Sequence, residues 1–262
     1  MFEKILEKAT KRTQSNKGSN LYDLKSEIVF LEGPVGCGKT HFVSNVVTKM
    51  GSSNLHNNNF MLFDGRGEEG ELADMLLGCG YNVFVINNET EGNFVFVNRN
   101  NGELDVSVYK TDSEEVWQSL KTKPKTAIVA GRLDKESLIH IINKGIGQIL
   151  KNDICKDIDV VAVFENIDFI VREDGIKEEE EEGETLGLVS ELLQNYRENK
   201  PEHIQTILSF QDLSQITIFK EFIDGGNKYQ YVRFDRGISS SGSNCFTACE
   251  RIASTKAKMV CR

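Results

Sequence analysis

No apolar run in this chain approaches the roughly eighteen residues that a membrane-spanning helix needs, so no membrane insertion is expected. Met1 to Lys8 alternate charged and apolar residues and contain no signal-peptide core. An intracellular location, cytoplasm or nucleus, is the expectation that follows. A basic surplus is also missing: 31 Lys and Arg stand against 40 Asp and Glu, for a net charge of −9. That argues against a broadly basic surface for sequence-independent DNA binding, but it leaves room for a few loop residues gripping nucleic acid in a ring. The six cysteines do not suggest a disulfide framework, since Cys37, Cys79 and Cys155 are scattered. Cys245, Cys249 and Cys261 cluster, but with no histidine at ligand spacing, and no zinc site is expected there.

What the chain does have is concentrated near its start. Gly33-Pro34-Val35-Gly36-Cys37-Gly38-Lys39-Thr40 fits the G-x-x-x-x-G-K-[ST] pattern of a phosphate-binding loop. Before it, Glu27 to Leu31 reads as a buried strand. After it, Phe42, Val43, Val46 and Val47 fall at helical spacing. Strand, glycine loop and helix form the context the motif requires. Glycines let the loop turn its N–H groups inward as a nest for anionic oxygens, and the helix adds its positive end. The expected nucleotide-binding set is Gly33, Pro34, Val35, Gly36, Cys37, Gly38, Lys39, Thr40 and His41. Lys39 is aimed at the β- and γ-phosphates, and the Thr40 hydroxyl at a Mg²⁺ ion bridging them.

With 262 residues, 39% hydrophobic, the chain has room for one large α/β domain or a domain with an insertion. Residues 1–20 read as a short amphipathic helix, with Phe2, Ile5, Leu6 and Ala9 on one face, and a linker. Residues 21–238 read as the main domain. Phe60–Phe63 is a second core strand, ending at Asp64-Gly65, and Glu68–Leu77 is a helix. Residues 81–125 form a β-rich insertion. Its runs at 83–86, 94–97 and 104–109, with Asn101-Gly102 between the last two, read as a β-meander inserted into or extending the core sheet. A helix near Asp112–Leu120, a basic loop at Lys121–Lys125, a strand at Ala127–Ala130 and a helix over Leu138–Leu150 follow. Residues 172–185 read as an acidic loop around the unbroken run Glu178–Glu182, which is expected to be solvated, and Leu186–Asn199 as a helix. Tyr229–Phe234 reads as the last core strand. Residues 239–262 read as a flexible tail in which Cys245–Ile252 forms one short helix.

Two further segments carry chemistry. Asp159-Val160-Val161-Ala162-Val163-Phe164-Glu165-Asn166-Ile167-Asp168 is an apolar strand running into acids, the Walker B pattern. In such sites one carboxylate holds the Mg²⁺ shell and a neighbour orients the attacking water; Glu165 takes the first role beside Thr40. Ile204–Phe210 is a strand tipped by Gln211, where a polar side chain would sense the γ-phosphate.

With these segments in this order, residues 26–235 resemble the division of P-loop NTPases with an additional strand between the P-loop and Walker B strands. That division includes AAA+ and FtsK/HerA-type viral genome-packaging ATPases. The resemblance implies an α/β three-layer sandwich with a mostly parallel central sheet of order 5-1-4-3-2. It also implies ATP and Mg²⁺ as ligands, Lys39, Glu165, Asp168 and Gln211 as catalytic residues, and a homo- or hetero-oligomer with nucleic acid as a candidate partner. In the AAA+ register Asn166 stands where the catalytic Glu belongs. An amide cannot accept the water proton, so hydrolysis is slow or another carboxylate such as Asp168 acts. Only 28 residues follow Phe234, too few for a typical AAA+ lid, which favours the packaging type. Arg132, Arg172, Arg197 and Arg233 are the arginine-finger candidates.

The sequence therefore supports an oligomeric ATPase motor that translocates or remodels nucleic acid. Two alternatives stand beside it: a nucleotide-binding switch or scaffold with weak or no hydrolysis, and a small-molecule kinase with Lys121, Lys123 and Lys125 as a basic lid.

Overall fold

The computed structural model describes residues 27–52, 58–64, 69–100, 103–151, 153–167, 180–198, 203–212, 217–225, 227–238, 244–252 and 258–261. The expected N-terminal helix and linker at 1–20 lie outside the described residues, as does Asp168.

Apolar, β-branched runs form the centre. The core strands are β1 (Ile28–Glu32), β2 (Asn58–Asp64), β7 (Asp159–Glu165), β8 (Ile204–Phe210) and β9 (Gln230–Ile238). In the first two, every residue is buried, apolar and polar alike, as expected of parallel strands covered on both faces. These five lie in the order β9-β1-β8-β7-β2, all parallel. Counted by appearance in the chain, this is 5-1-4-3-2, as the resemblance implied.

The sheet continues beyond β2 through β6 (Thr126–Gly131) and β3 (Asn82–Ile86), both parallel to the core. It then passes into β4 (Asn93–Asn100) and β5 (Glu103–Lys110), which are antiparallel. The meander is thus β3-β4-β5, and it extends the core sheet at one edge. Phe84, Phe96 and Tyr109 hold it together by ring contacts, and Trp117 packs edge-on against Phe94.

Helices cover both faces. On one lie α1 (Lys39–Gly51) and α2 (Glu69–Gly78). Phe42, Val43, Val46 and Val47 of α1 and Leu72 and Leu76 of α2 pack on Val29, Leu31, Phe60, Leu62, Val161, Val163 and Ile207. On the other lie α3 (Glu114–Thr122), α4 (Lys135–Lys151), α5 (Glu180–Glu198) and α6 (Thr217–Asp224), packed on Phe30, Met61, Phe63, Ala162, Phe164 and Leu208. Strand alternation divides the two cores residue by residue. It also fixes which face each strand-end polar residue shares.

Two expectations are corrected. Asn244–Ile252 is not a helix but β10, antiparallel to β9, and Lys258–Cys261 is β11, antiparallel to β10. Phe246, Thr247, Cys249 and Ile252 are strand-favouring types, and the open edge of β9 supplies backbone partners. The acidic run does not all lie in a loop. Helix α5 begins at Glu180, six residues ahead of Leu186, and takes in Glu181 and Glu182. Glutamate is a good helix former, and negative charge suits a helix N-terminus.

Candidate nucleotide site

All parallel strands end on the same side of the sheet, and the glycine loop leaves β1 on that side. Gly33 is required there by close approach. A Cβ on it would lie 2.7 Å from Cys37 Sγ and from the Phe234 carbonyl oxygen. Its N–H donates to the Phe210 carbonyl at 3.2 Å, which ties the loop to the end of β8. Gly38, with φ of 100°, caps α1 in a left-handed conformation that L side chains rarely adopt. The Cys37 N–H returns to the Pro34 carbonyl at 3.3 Å.

The Lys39 side chain folds inward and is buried. Its ammonium donates to the Gly33 carbonyl and to the Pro34 carbonyl at 3.2 Å, and lies 3.8 Å from Cys37 Sγ. The loop thus concentrates a positive charge at its own centre. Thr40 and His41 follow Lys39 in the first turn of α1; His41 and Val35 are exposed at the loop mouth.

Thr40 Oγ1 donates to Glu165 Oε2 at 2.8 Å across a separation of 125 residues. Glu165 ends β7 on the face shared with α1, because Val161 and Val163 of that strand pack with α1. The pairing of β7 with β8 places Phe164 beside Leu208. One step further brings Ser209 alongside Glu165, and Ser209 is also paired with Leu31. On the other flank Asp64 is in register with Glu165. Asp64, Glu165 and Ser209 therefore form a buried row across β2, β7 and β8, beneath the start of α1. Among the described residues the Ser209 hydroxyl is buried without a hydrogen-bond partner. Gln211, half-buried, follows β8 between the strand that carries the loop and the strand that carries Glu165.

Asp64 and Ser209 were not picked out from the sequence. The signal was there for Asp64, an acid ending the apolar run Phe60–Phe63, but only the strand order makes it a neighbour of Glu165. Glu32, a third buried acid at this edge, lies on the opposite face with Ile28 and Phe30, and Tyr231 donates its hydroxyl to it. Asn166 follows Glu165 in a left-handed conformation, φ 56°, which asparagine tolerates better than most residues.

Other candidates lie elsewhere. Lys121 is buried in the last turn of α3 and pairs with Asp153 at 2.6 Å. Hydrogen bonding to that ammonium holds the Asp153 carboxyl below the usual carboxylate range. Lys121, Lys123 and Lys125 lead into the first residue of β6, at the end of the sheet opposite the loop, so they do not form a lid over it. Arg197 sits over the Phe222 ring, 6.0 Å from its centroid. It lines a cleft with Glu27 and Lys228 that opens where β1 begins, again at the far end. Arg132 is exposed after β6, and Arg233 is exposed on β9 opposite Glu32. Arg172 lies outside the described residues.

No family model matches the chain, and no curated protein matches it. Among solved structures it is similar to the genome packaging NTPase B204 from Sulfolobus turreted icosahedral virus 2 in complex with AMP. That match has 10% identity and a TM-score of 0.47, over 89% of this chain and 96% of that one. A KaiC-like protein, PH0186, from Pyrococcus horikoshii OT3 matches at 14% identity and a TM-score of 0.43, over 90% and 82%. The Legionella pneumophila ATPase DotB matches at 8% identity and a TM-score of 0.38, over 88% and 47%. Likenesses this distant say nothing of activity or partners. The chain's own strand order and loop are those of an α/β P-loop NTPase fold.

Proposed function

We propose that the loop edge binds ATP with Mg²⁺ and hydrolyses it, and that the protein works as an oligomeric ATPase motor on nucleic acid. The observation that carries the nucleotide reading is the 2.8 Å contact between Thr40 Oγ1 and Glu165 Oε2. Two residues 125 positions apart, each singled out for a metal role by its motif, meet beside a buried lysine held in a glycine loop. A hydroxyl and adjacent carboxylates are hard oxygen donors, the set that suits Mg²⁺. Thr40 and Glu165 would hold that ion, which neutralises charge on the β- and γ-phosphates when bound. Loop N–H groups from Gly36 to Thr40 would cradle the phosphates, Lys39 would supply a fixed charge, and Gln211 would donate to a phosphate oxygen and accept from water.

The motor reading draws on the strand order and on Gln211 between the two catalytic strands. The net charge of −9 confines any nucleic-acid contact to a few loop residues. Asn166 favours a second reading, a nucleotide-dependent switch or scaffold with little turnover. The kinase reading loses its lid, since the lysine cluster lies at the other end of the sheet.

Fluorescent-nucleotide titration tests binding. Turnover with and without DNA or RNA, beside size-exclusion chromatography in ATP and Mg²⁺, separates the readings. Polymer-stimulated turnover in a larger assembly is the expected result. Tight binding without turnover selects the switch, and no binding rejects both.

A further inference from the structure

We propose that Asp64 is the carboxylate that orients the attacking water and accepts its proton, the role Asn166 cannot fill. The inference rests on the nucleotide-hydrolysing reading above and deepens it. Three acids are buried at the strand ends near the loop, among the described residues: Glu32, Asp64 and Glu165. Glu32 faces the other core and accepts from Tyr231. Glu165 is engaged by Thr40. Asp64 is the third, and it lies on the productive face because Phe60 and Leu62 of β2 pack with α1.

Register places Asp64 directly beside Glu165, at the inter-strand spacing of about 4.8 Å. That is close enough for one carboxylate to hold the metal while the other reaches a water outside the metal shell. The third member of the row is independent of the acids. The Ser209 hydroxyl is buried and lacks a partner among the described residues. A buried hydroxyl of this kind calls for an oxygen or water to complete it, and the row lies under the loop where a γ-phosphate and its water would sit. Two adjacent buried carboxylates are costly as packing. An apolar residue at position 64 would have extended the strand's apolar run without that cost.

The water oxygen attacks the γ-phosphorus, and its proton passes to the Asp64 carboxylate. The bond from the γ-phosphorus to the bridging oxygen breaks, its electron pair leaving with ADP. Phosphate departs, and Asp64 returns its proton to solvent. No other reactant is needed.

The test compares wild type with Asp64→Asn and Asp64→Glu. Each is read by thermal melting, by titration with a fluorescent ATP analogue in Mg²⁺ and in EDTA, and by ATP turnover. Asp64→Asn should bind the analogue within about threefold of wild type, with the same dependence on Mg²⁺, while kcat falls at least a hundredfold, within the span typical of general acid–base groups. Asp64→Glu should recover part of kcat at unchanged affinity. Wild-type turnover in folded Asp64→Asn overturns the assignment. If Asp64→Asn melts early, Asp64→Glu decides: an undiminished kcat overturns the assignment and a reduced kcat at wild-type affinity supports it. Wild type that binds the analogue but never turns over rejects the role of Asp64 and leaves the binding site standing. Wild type that does not bind rejects the nucleotide reading itself.

Discussion

The two ends of the sheet handle buried polar groups in opposite ways. Where the parallel strands begin, polar side chains close on one another. The Asn59 amide donates to the Leu120 and Lys123 carbonyls at 2.6 and 2.8 Å and accepts from the Thr126 N–H at 2.8 Å. Lys121 meets Asp153, and Tyr196 meets Thr206 at 2.6 Å, with burial pushing the Tyr196 hydroxyl's pKa well up. Where the strands end, a lysine is wrapped in carbonyls, two carboxylates stand side by side, and a buried serine hydroxyl has no partner among the described residues. One end is mostly satisfied by the chain itself, with the Gln148 Oε1 atom in the last turn of α4 an exception among the described residues. At the other, the buried Ser209 hydroxyl keeps bonding capacity that the described residues do not use. Buried polarity alone does not mark a site; what marks it is polarity that the fold leaves to be completed.

The largest effect on stability is expected at the closed end. Asn59→Ala removes three hydrogen bonds and strands the Leu120 carbonyl and the Thr126 N–H, while the Lys123 carbonyl keeps the Thr126 hydroxyl as donor. It should cost about 3 kcal/mol, on the order of 1–3 kcal/mol arising per buried unsatisfied group, and lower the melting temperature by roughly 10 °C. Nucleotide affinity in the surviving folded protein should not change. A wild-type melting curve would show that this end is not structural.

At the open end the effect should be on ligand and not on fold. Glu165→Gln should weaken binding of an ATP analogue in Mg²⁺ by about tenfold or more, a loss of about 1.4 kcal/mol or more. It should leave binding in EDTA and the melting temperature nearly unchanged. Equal loss with and without metal would contradict the Mg²⁺ role. A smaller binding effect is expected for Gln211→Ala. ATP affinity should hold within a few-fold, since one hydrogen bond is worth about 1 kcal/mol, while turnover falls much further. Small and equal changes in both would reduce Gln211 to a strand-end cap. Ser209→Ala should be the mildest for stability, within about 0.5 kcal/mol by chemical denaturation, because an unpaired hydroxyl contributes nothing to the fold that its removal could forfeit. A drop as large as that of Asn59→Ala would mean the serine is as closed as the asparagine.

These contrasts also separate what sequence could reveal from what it could not. Gly33 to Thr40 is contiguous and chemically peculiar, so the loop was legible. Val160–Glu165 and Ile204–Phe210 were legible as strands, because an unbroken apolar run between polar residues has few other uses. The order of the core strands followed from the resemblance those segments carry together. Asp64 and Ser209 were not legible, because their meaning depends on lateral pairing of β2, β7 and β8, and register across parallel strands is not written in any one of them. The lysines at 121, 123 and 125 looked like one basic loop. The amphipathic turn of α3 buries Lys121 and sets it against an aspartate 32 positions later. Residues 244–252 lacked a clear period, and their state was decided by the edge of β9.

The most direct test of the account is titration of a fluorescent ATP analogue, in Mg²⁺, into wild type and into folded Lys39→Ala. The site predicts saturable binding by wild type and a loss of at least a hundredfold in the variant at an unchanged melting temperature, since the buried ammonium is the one cation the loop holds at its centre. Equal affinity in the two proteins would contradict the assignment of this edge as a nucleotide site.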